Sequence, residues 1–320
     1  MGTIPLRRSL SYLTATALLI GITSPLLAQD EGFKLDLGCL LPFAAIAPAE
    51  DPFVSCGNCG VVSAHASPTQ ARAKAFESRA KNNFCADTSS VTVVNFSILR
   101  EMQVKPVDKS HLGNRHVLHS IFEMPDGKKI GEGDVVRLKA WVSNAHVSDC
   151  PKGESVNCST PGFDSNDIHI PLLDPTVAEG RGQDECTSVT AEMSPHFRPA
   201  AWSQLDLKTP VKNVVRVTGP LFFDNSHKPC VTSNHKDHGN AAPFRSSLWE
   251  VHPVYHFEVC ANTDPDQCDV NSASSDVWIP YDEWVLLPGS VTEPTGKRFR
   301  TGCNHPQPGG ETVPAKCPTQ

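Results

Sequence analysis

WEVHPVYHFEVC, Trp249 to Cys260, sorts by the two-residue side-chain period of a β-strand into two chemically different faces. Trp249, Val251, Pro253, Tyr255, Phe257 and Val259 fall on one side and predict a core face with Trp249, Tyr255 and Phe257 turned inward. Glu250, His252, Val254, His256, Glu258 and Cys260 fall on the other. Neighbouring side chains on one face of a strand stand about 6.5 Å apart. Two carboxylates and two imidazoles at that spacing can reach a shared ligand, but not a single coordination sphere.

Four alternating segments precede this run. DVVRLKAWVSNA (134–145) sets Val136, Leu138, Ala140 and Val142 opposite Arg137, Lys139 and Trp141. IHIPLL (168–173), TSVTAEMS (187–194) and NVVRVTGPLFFD (213–224) follow. SVTVVNFSIL (90–99), rich in β-branched residues, reads as a further β run, and DVWIPYDEWVLL (276–287) as an extra strand. The order predicts a mainly β fold, a five-stranded OB-like barrel over 134–260, with 197–212 as the connection that often carries a helix; a β-sandwich is the alternative. There is no internal repeat, which excludes solenoids and propellers.

Outside the barrel three segments are expected. Residues 1–28 read as a signal peptide: Arg7 and Arg8 supply the charged start, Leu13 to Leu27 the apolar stretch, and Ala28 the small residue before the cut. General secretion fits better than twin-arginine export, because RRSLS is a poor match. Residues 29–90 form a Cys-rich segment with one helix at about 68–82. Ser67 suits the N-cap and Pro68 the first helical position, and Ala73, Phe76, Ala80 and Phe84 make one apolar stripe. Arg72, Lys74, Arg79 and Lys81 are expected on a solvated surface. Residues 91–260 form the barrel domain, and 261–320 are an extension with a Pro/Gly-rich tail held by a disulfide.

Twelve cysteines, an even number, in an exported chain predict a disulfide framework. They are Cys39, Cys56, Cys59, Cys85, Cys150, Cys158, Cys186, Cys230, Cys260, Cys268, Cys303 and Cys317. Short loops make Cys150 with Cys158, Cys260 with Cys268 and Cys303 with Cys317 easy pairs. The compartment is secreted or periplasmic, and no apolar stretch of the mature chain is long enough to span a bilayer. Without the leader, 26 basic side chains face 35 acidic ones, a net charge of −9 against −7 for the full chain. That sign disfavours nonspecific nucleic-acid binding.

Candidate sites cluster in three places. On the strands, Asp167, His169, Arg216, Glu250, His252 and His256 occupy alternate positions and are compatible with one polar binding face. In the loop after the fourth strand, Asp224, His227, His235 and His238 with Cys230 give HxxCxxxxHxxH, the residue types of a zinc site. Pairing of Cys230 in a disulfide is the competing expectation. After the third strand, His196 close to Glu192 has the arrangement of a general base oriented by an acid, with Arg198 able to hold an anion. An ion pair of Arg198 with Glu192, pinning the loop, is the plainer reading.

GxSxG, HExxH, Walker A and GxGxxG motifs are missing from the mature chain. Several blocks nevertheless form a pattern: RAKNNFCA (79–86), GESVNC (153–158), NDIHIPL (166–172), TSVTAEMSPHFRP (187–199), VRVTGPLFFDNSHKPC (215–230) and SLWEVHPVYHFEVC (247–260). Together they resemble a group of exported bacterial proteins without an assigned function. The resemblance implies a bacterial envelope location and carries over no catalytic residue.

The leading expectation is a secreted, disulfide-stabilised β-barrel binding module for a small molecule, glycan or protein. A metal-dependent hydrolase of phosphate esters or nucleic acid is the second, with His169, Glu192, Asp224, His227, Glu250 and His252 as ligands or acid/base groups. A structural envelope protein is the third. A shared site requires His169, Glu192 and His252 within about 10 Å of one another.

Overall fold

The structure is a computed structural model describing residues 57, 59–84, 86–104, 107, 115–148, 150–177, 185–196, 198–205, 208–210, 212–230, 245–290, 303 and 309–316. In chain order the elements are β1 (Val61–Ser63), α1 (Pro68–Lys81), β2 (Thr92–Val93), α2 (Phe96–Val104), β3 (Phe122–Glu123), β4 (Lys129–Ile130), β5 (Val135–Val142) and β6 (His146–Val147). Then come β7 (Ile168–Leu173), β8 (Val189–Met193), β9 (Val215–Phe223), β10 (Trp249–Val251), β11 (His256–Cys260), β12 (Trp278–Pro280), α3 (Tyr281–Trp284) and β13 (Thr312–Pro314).

β5, β7 and β8 form an antiparallel meander. β8 runs parallel to β10, β10 antiparallel to β9, and β9 returns antiparallel to β5. The circuit β5-β7-β8-β10-β9-β5 closes a five-stranded OB-like barrel, not a sandwich. Its interior is filled by the alternate residues that the strand period selects: Val136, Leu138, Ala140, Ile168, Ile170, Leu172, Val189, Ala191, Met193, Val217, Leu221, Trp249 and Val251.

The 249–260 run is not one strand. Trp249 pairs with Phe223 in β10, whereas His256 pairs with Thr218 in β11, so residues 252–255 stand against only Gly219 and Pro220. Pro253 has no N–H to give to a ladder, and its bond to His252 is cis. The chain passes so close to β9 here that a Cβ on Gly219 would collide with Pro253 O and the Val251 side chain. The break shifts the alternation. Phe257 and Val259 still join the core, but Tyr255 packs outside it with Ala86 and Val135. Its hydroxyl accepts from Ala86 N at 2.8 Å and donates to Asn83 O, tying the N-terminal segment to the barrel.

α1 begins as its sequence dictates. Ser67 Oγ accepts from Gln70 N at 3.3 Å and Gln70 Oε1 from Ser67 N at 3.0 Å, a reciprocal cap over Pro68. Its second half departs from expectation: Glu77, Ser78, Arg79 and Lys81 are buried along with Phe76 and Ala80. The helix lies on the outer face of the barrel, so its charged side is an interface.

SVTVVNFSIL contributes strand only at β2, because Asn95 caps a helix: its Oδ1 accepts from Ile98 N at 2.9 Å. α2 then buries Phe96, Leu99 and Met102 in the core. The 276–287 segment likewise yields a short strand followed by α3. Among the described residues the 197–212 connection holds a 3-10 turn, Ala200–Gln204, whose Trp202 packs against Phe257 at 6.3 Å between ring centroids.

Cys260–Cys268 is bridged as expected, with a Cα–Cα distance of 6.0 Å. Cys150 pairs with Cys303 instead of Cys158, and Cys303 therefore not with Cys317. Proximity in the fold, not in sequence, decides this bridge, which holds the C-terminal extension to the barrel. Cys186 pairs with Cys230. Cys59 and Cys158 are also disulfide-bonded, and no described cysteine is free. Cys39, Cys56, Cys85 and Cys317 lie outside the described residues, as does the leader. No described helix is long and apolar enough to cross a membrane.

Candidate functional site

Strand register assembles the site. His169 of β7 stands directly opposite Glu192 of β8. β10 runs parallel to β8 with Val251 beside Ala191, which brings His252 alongside Glu192. Asp167 precedes β7 on the same outward face, and Glu250 lies two residues before His252. An OB barrel offers this face to ligands. Here α1 lies over it, and Asp167, His169, Glu192, Glu250 and His252 are all buried.

Glu192 is the hub. Oε1 is 3.2 Å from His169 Nε2, and Oε2 is 2.6 Å from His252 Nδ1 and 3.0 Å from Lys81 Nζ. His252 Nε2 faces Asp167 Oδ2 at 3.6 Å, and its Nδ1 faces Glu250 Oε1 at 3.5 Å. Arg245 Nη1 bridges Glu250 at 2.7 Å and Asp224 at 3.1 Å. Glu154 approaches His169 at 3.7 Å and accepts from Asp167 N at 2.9 Å. Asn157 Nδ2 donates to Asp167 Oδ1 at 3.0 Å, so its Oδ1 is left to accept from His196 Nε2 at 3.0 Å.

Alignment in the cluster is poor: Asp167 Oδ2, Glu192 Oε1, Glu250 Oε1, His169 Nε2 and both ring nitrogens of His252 are buried without a well-directed hydrogen bond and are held by their ion-pair neighbours instead. Polar atoms left so are costly, and they converge here on one spot.

The electrostatics follow from burial set against partners. Burial acts to raise the Glu192 carboxyl, but His169, Lys81 and His252 outweigh it and hold it well below the usual range. Asp167 is pushed up to about 7 by burial and by the neighbouring Glu154. Burial and the Glu192 and Asp224 charges raise Glu250 too. Burial would lower the pKa of His252, yet Glu192 prevails and lifts it to about 10. Lys81 stays charged for the same reason, its pKa raised well above the ordinary value against the cost of burial.

Of the residues expected on a binding face, Asp167, His169, Glu250 and His252 come together. Arg216 and His256 do not. Arg216 forms a fork with Glu258, 2.7 Å and 2.6 Å, and stacks on Trp278, while His256 is exposed beyond the strand break.

The general-base arrangement at His196 and Arg198 is not formed. His196 is fully buried beside the Phe84 ring, and burial together with Arg198 drives its pKa well below the ordinary value. Arg198 makes no ion pair with Glu192. It donates instead to backbone carbonyls, Asn166 O at 2.6 Å, Met193 O at 3.2 Å and Phe163 O at 3.2 Å, pinning the loop by another means.

In the 224–238 loop, Cys230 is committed to its disulfide and offers no thiolate. Asp224 and His227 pair through Oδ2 and Nδ1, with His227 half exposed. His235 and His238 lie outside the described residues.

Lys81, Glu154, Asn157 and Arg245 were not expected here. Lys81 looks in sequence like any solvated helix lysine. Lys81, Glu154 and Asn157 carry a faint signal, since they fall in the RAKNNFCA and GESVNC blocks, and Arg245 carries none.

Two groups hold donor atoms within 4.8 Å of one another: Asp167, Glu192 and His252, and Glu192, Asp224 and Glu250. The fold and the cluster thus define an OB-like barrel with a buried carboxylate–imidazole centre on the outer face of β7, β8 and β10. No family model, curated protein or solved structure matches the chain.

Proposed function

We propose that the protein is an exported, disulfide-stabilised binding module that takes up a small cation on the covered face of β7, β8 and β10. The charge balance carries this reading. Glu154, Asp167, Glu192, Asp224 and Glu250 are five connected carboxylates, while Lys81 and Arg245 are the two permanent cations among them. With all carboxylates ionised, three negative charges lack a fixed counter-charge, and they are balanced from within only when His169, His252 and His227 are all protonated. Buried charge of that kind is costly unless compensated. An oligosaccharide or oligonucleotide needs an open face, and α1 occupies it. The leader-like N-terminus and the cysteine count support export.

A thermal-unfolding screen of the full, disulfide-bonded chain against inorganic and organic cations tests the reading. Saturable stabilisation is expected from at least one class, about 2.7 kcal/mol at a concentration 100 times the dissociation constant. Glu192→Gln should abolish it. No stabilisation by any cation would end the proposal.

One observation favours hydrolysis as a second reading. His227 is half exposed and oriented by buried Asp224, the arrangement of a general base. Manganese- or zinc-dependent cleavage of a phosphodiester, lost in His227→Ala, would support it, and activity unchanged in that variant would reject it.

A further inference from the structure

We infer that Asp167, Glu192 and His252 form a binding site for one first-row divalent metal ion of the zinc or manganese type. The inference rests on the cation-binding reading above and names its ligand.

The three side chains come from three different elements, the turn before β7, β8 and the end of β10. All are buried, and one donor atom of each lies within 4.8 Å of the other two. Zinc–oxygen and zinc–nitrogen bonds of about 2.0 to 2.2 Å place ligand atoms about 3.3 to 3.6 Å apart in a tetrahedron. His252 Nε2 and Asp167 Oδ2 stand 3.6 Å apart.

The atoms that would ligate are buried and lack a well-directed hydrogen bond: Asp167 Oδ2, Glu192 Oε1 and the His252 nitrogens. Imidazole nitrogen among carboxylate oxygens separates the group from a purely acidic cluster. It also selects between the two groups. In the second, Glu250 and Asp224 already share the Arg245 guanidinium at 2.7 Å and 3.1 Å, a cation supplied by the chain. In the first, Lys81 engages only Oε2 of Glu192, and Oε1 faces His169 Nε2 at 3.2 Å, a titratable imidazole and not a permanent cation.

The donor set narrows the ion. Two carboxylates and an imidazole suit zinc, manganese or ferrous iron, whereas calcium and magnesium prefer all-oxygen shells and cuprous copper prefers sulfur. Asn157 fixes the other oxygen of Asp167, in the manner of outer groups that orient metal ligands.

The test is elemental analysis of the full chain, disulfides formed, made in medium containing zinc and manganese and purified without chelator or histidine tag. About one metal per chain is expected. The content should fall about tenfold or more in Asp167→Asn and His252→Ala, and stay unchanged in His256→Ala. Should the two site variants fail to fold, spin-echo spectroscopy of manganese- or cobalt-loaded wild-type protein replaces them, and coupling to one imidazole nitrogen is expected. Metal retained in both folded site variants, a spectrum without histidine nitrogen, or wild-type protein free of metal would overturn the inference. If organic or monovalent cations stabilise the metal-free wild type, the cation reading survives and only the metal assignment fails. If they do not, both fall.

Discussion

Lys81, the last residue of α1, places its ammonium 3.0 Å from Glu192 Oε2, across 111 residues of chain, with both side chains withdrawn from solvent. One contact therefore closes the helix onto the barrel and neutralises the hub of the cluster. Lys81 also lies over the Phe222 ring, 5.5 Å from its centroid, with Arg115 at 4.8 Å from the same ring.

Lys81→Met is expected to cost about 3–5 kcal/mol, since it leaves a buried carboxylate without its permanent cation. Pairing it with Glu192→Gln should recover part of that loss. Urea unfolding of the two single variants and the double variant checks both statements. A single variant as stable as wild type would show that the helix docks without the ion pair.

Acid should destabilise the protein through Glu77 and Asp224. Burial acts to raise the Glu77 carboxyl, but Lys74 and the Ser226 hydroxyl prevail and lower it; His227, Lys81 and Arg245 overcome burial likewise at Asp224. A depressed folded-state pKa gives stability that is complete above the unfolded value, 4.5 for Glu77 and 3.8 for Asp224, and lost as pH falls through the folded value. Unfolding free energy measured downward from pH 6 should therefore fall most steeply below about pH 4.5. Glu77→Gln should flatten that slope.

The two aromatics of the broken strand should behave differently. Phe257 is a core residue, and Phe257→Ala is expected to cost about 3–5 kcal/mol in global stability. Tyr255→Phe keeps the ring but abandons Ala86 N and Asn83 O, a loss of about 1–3 kcal/mol. The latter should appear first as faster amide exchange between residues 82 and 94, because the hydroxyl anchors that segment. Equal effects throughout the barrel would contradict this division.

Removing Cys186 and Cys230 together, both to Ser, should lower stability by about 4 kcal/mol on the loop-closure estimate for a separation of 44 residues. The bridge ties the entry to β8 to the loop that carries Asp224 and His227. Denaturant unfolding gives the magnitude, and a change below about 1 kcal/mol would mean that the loop is held by other contacts.

Much of the barrel is legible in the chain because strand burial repeats every second residue. Val136, Leu138, Ala140, Ile168, Ile170, Val189 and Ala191 announce their inward face without any knowledge of partners. The same alternation set His169, Glu192, Glu250 and His252 on outward positions. It failed where a local event interrupts the period. Asn95 caps a helix inside a β-branched run, and the 252–255 insertion moves Tyr255 and His256 off the face that simple counting assigns.

The sequence by itself determined the barrel strands, the capped start of α1 and the paired state expected of its cysteines, since these follow from periodicity, cap chemistry and an even thiol count. Tertiary structure alone decided that Glu192 is the hub, that Lys81 and Arg245 are its cations, that Arg198 binds carbonyls and that Cys150 joins Cys303. The physical reason is range. A cap or an alternating strand is satisfied within a few residues, whereas a buried charge must find its counter-charge wherever the fold delivers one. Here Lys81 and Glu192 stand 111 residues apart, and only the strand register and the docking of α1 bring them together.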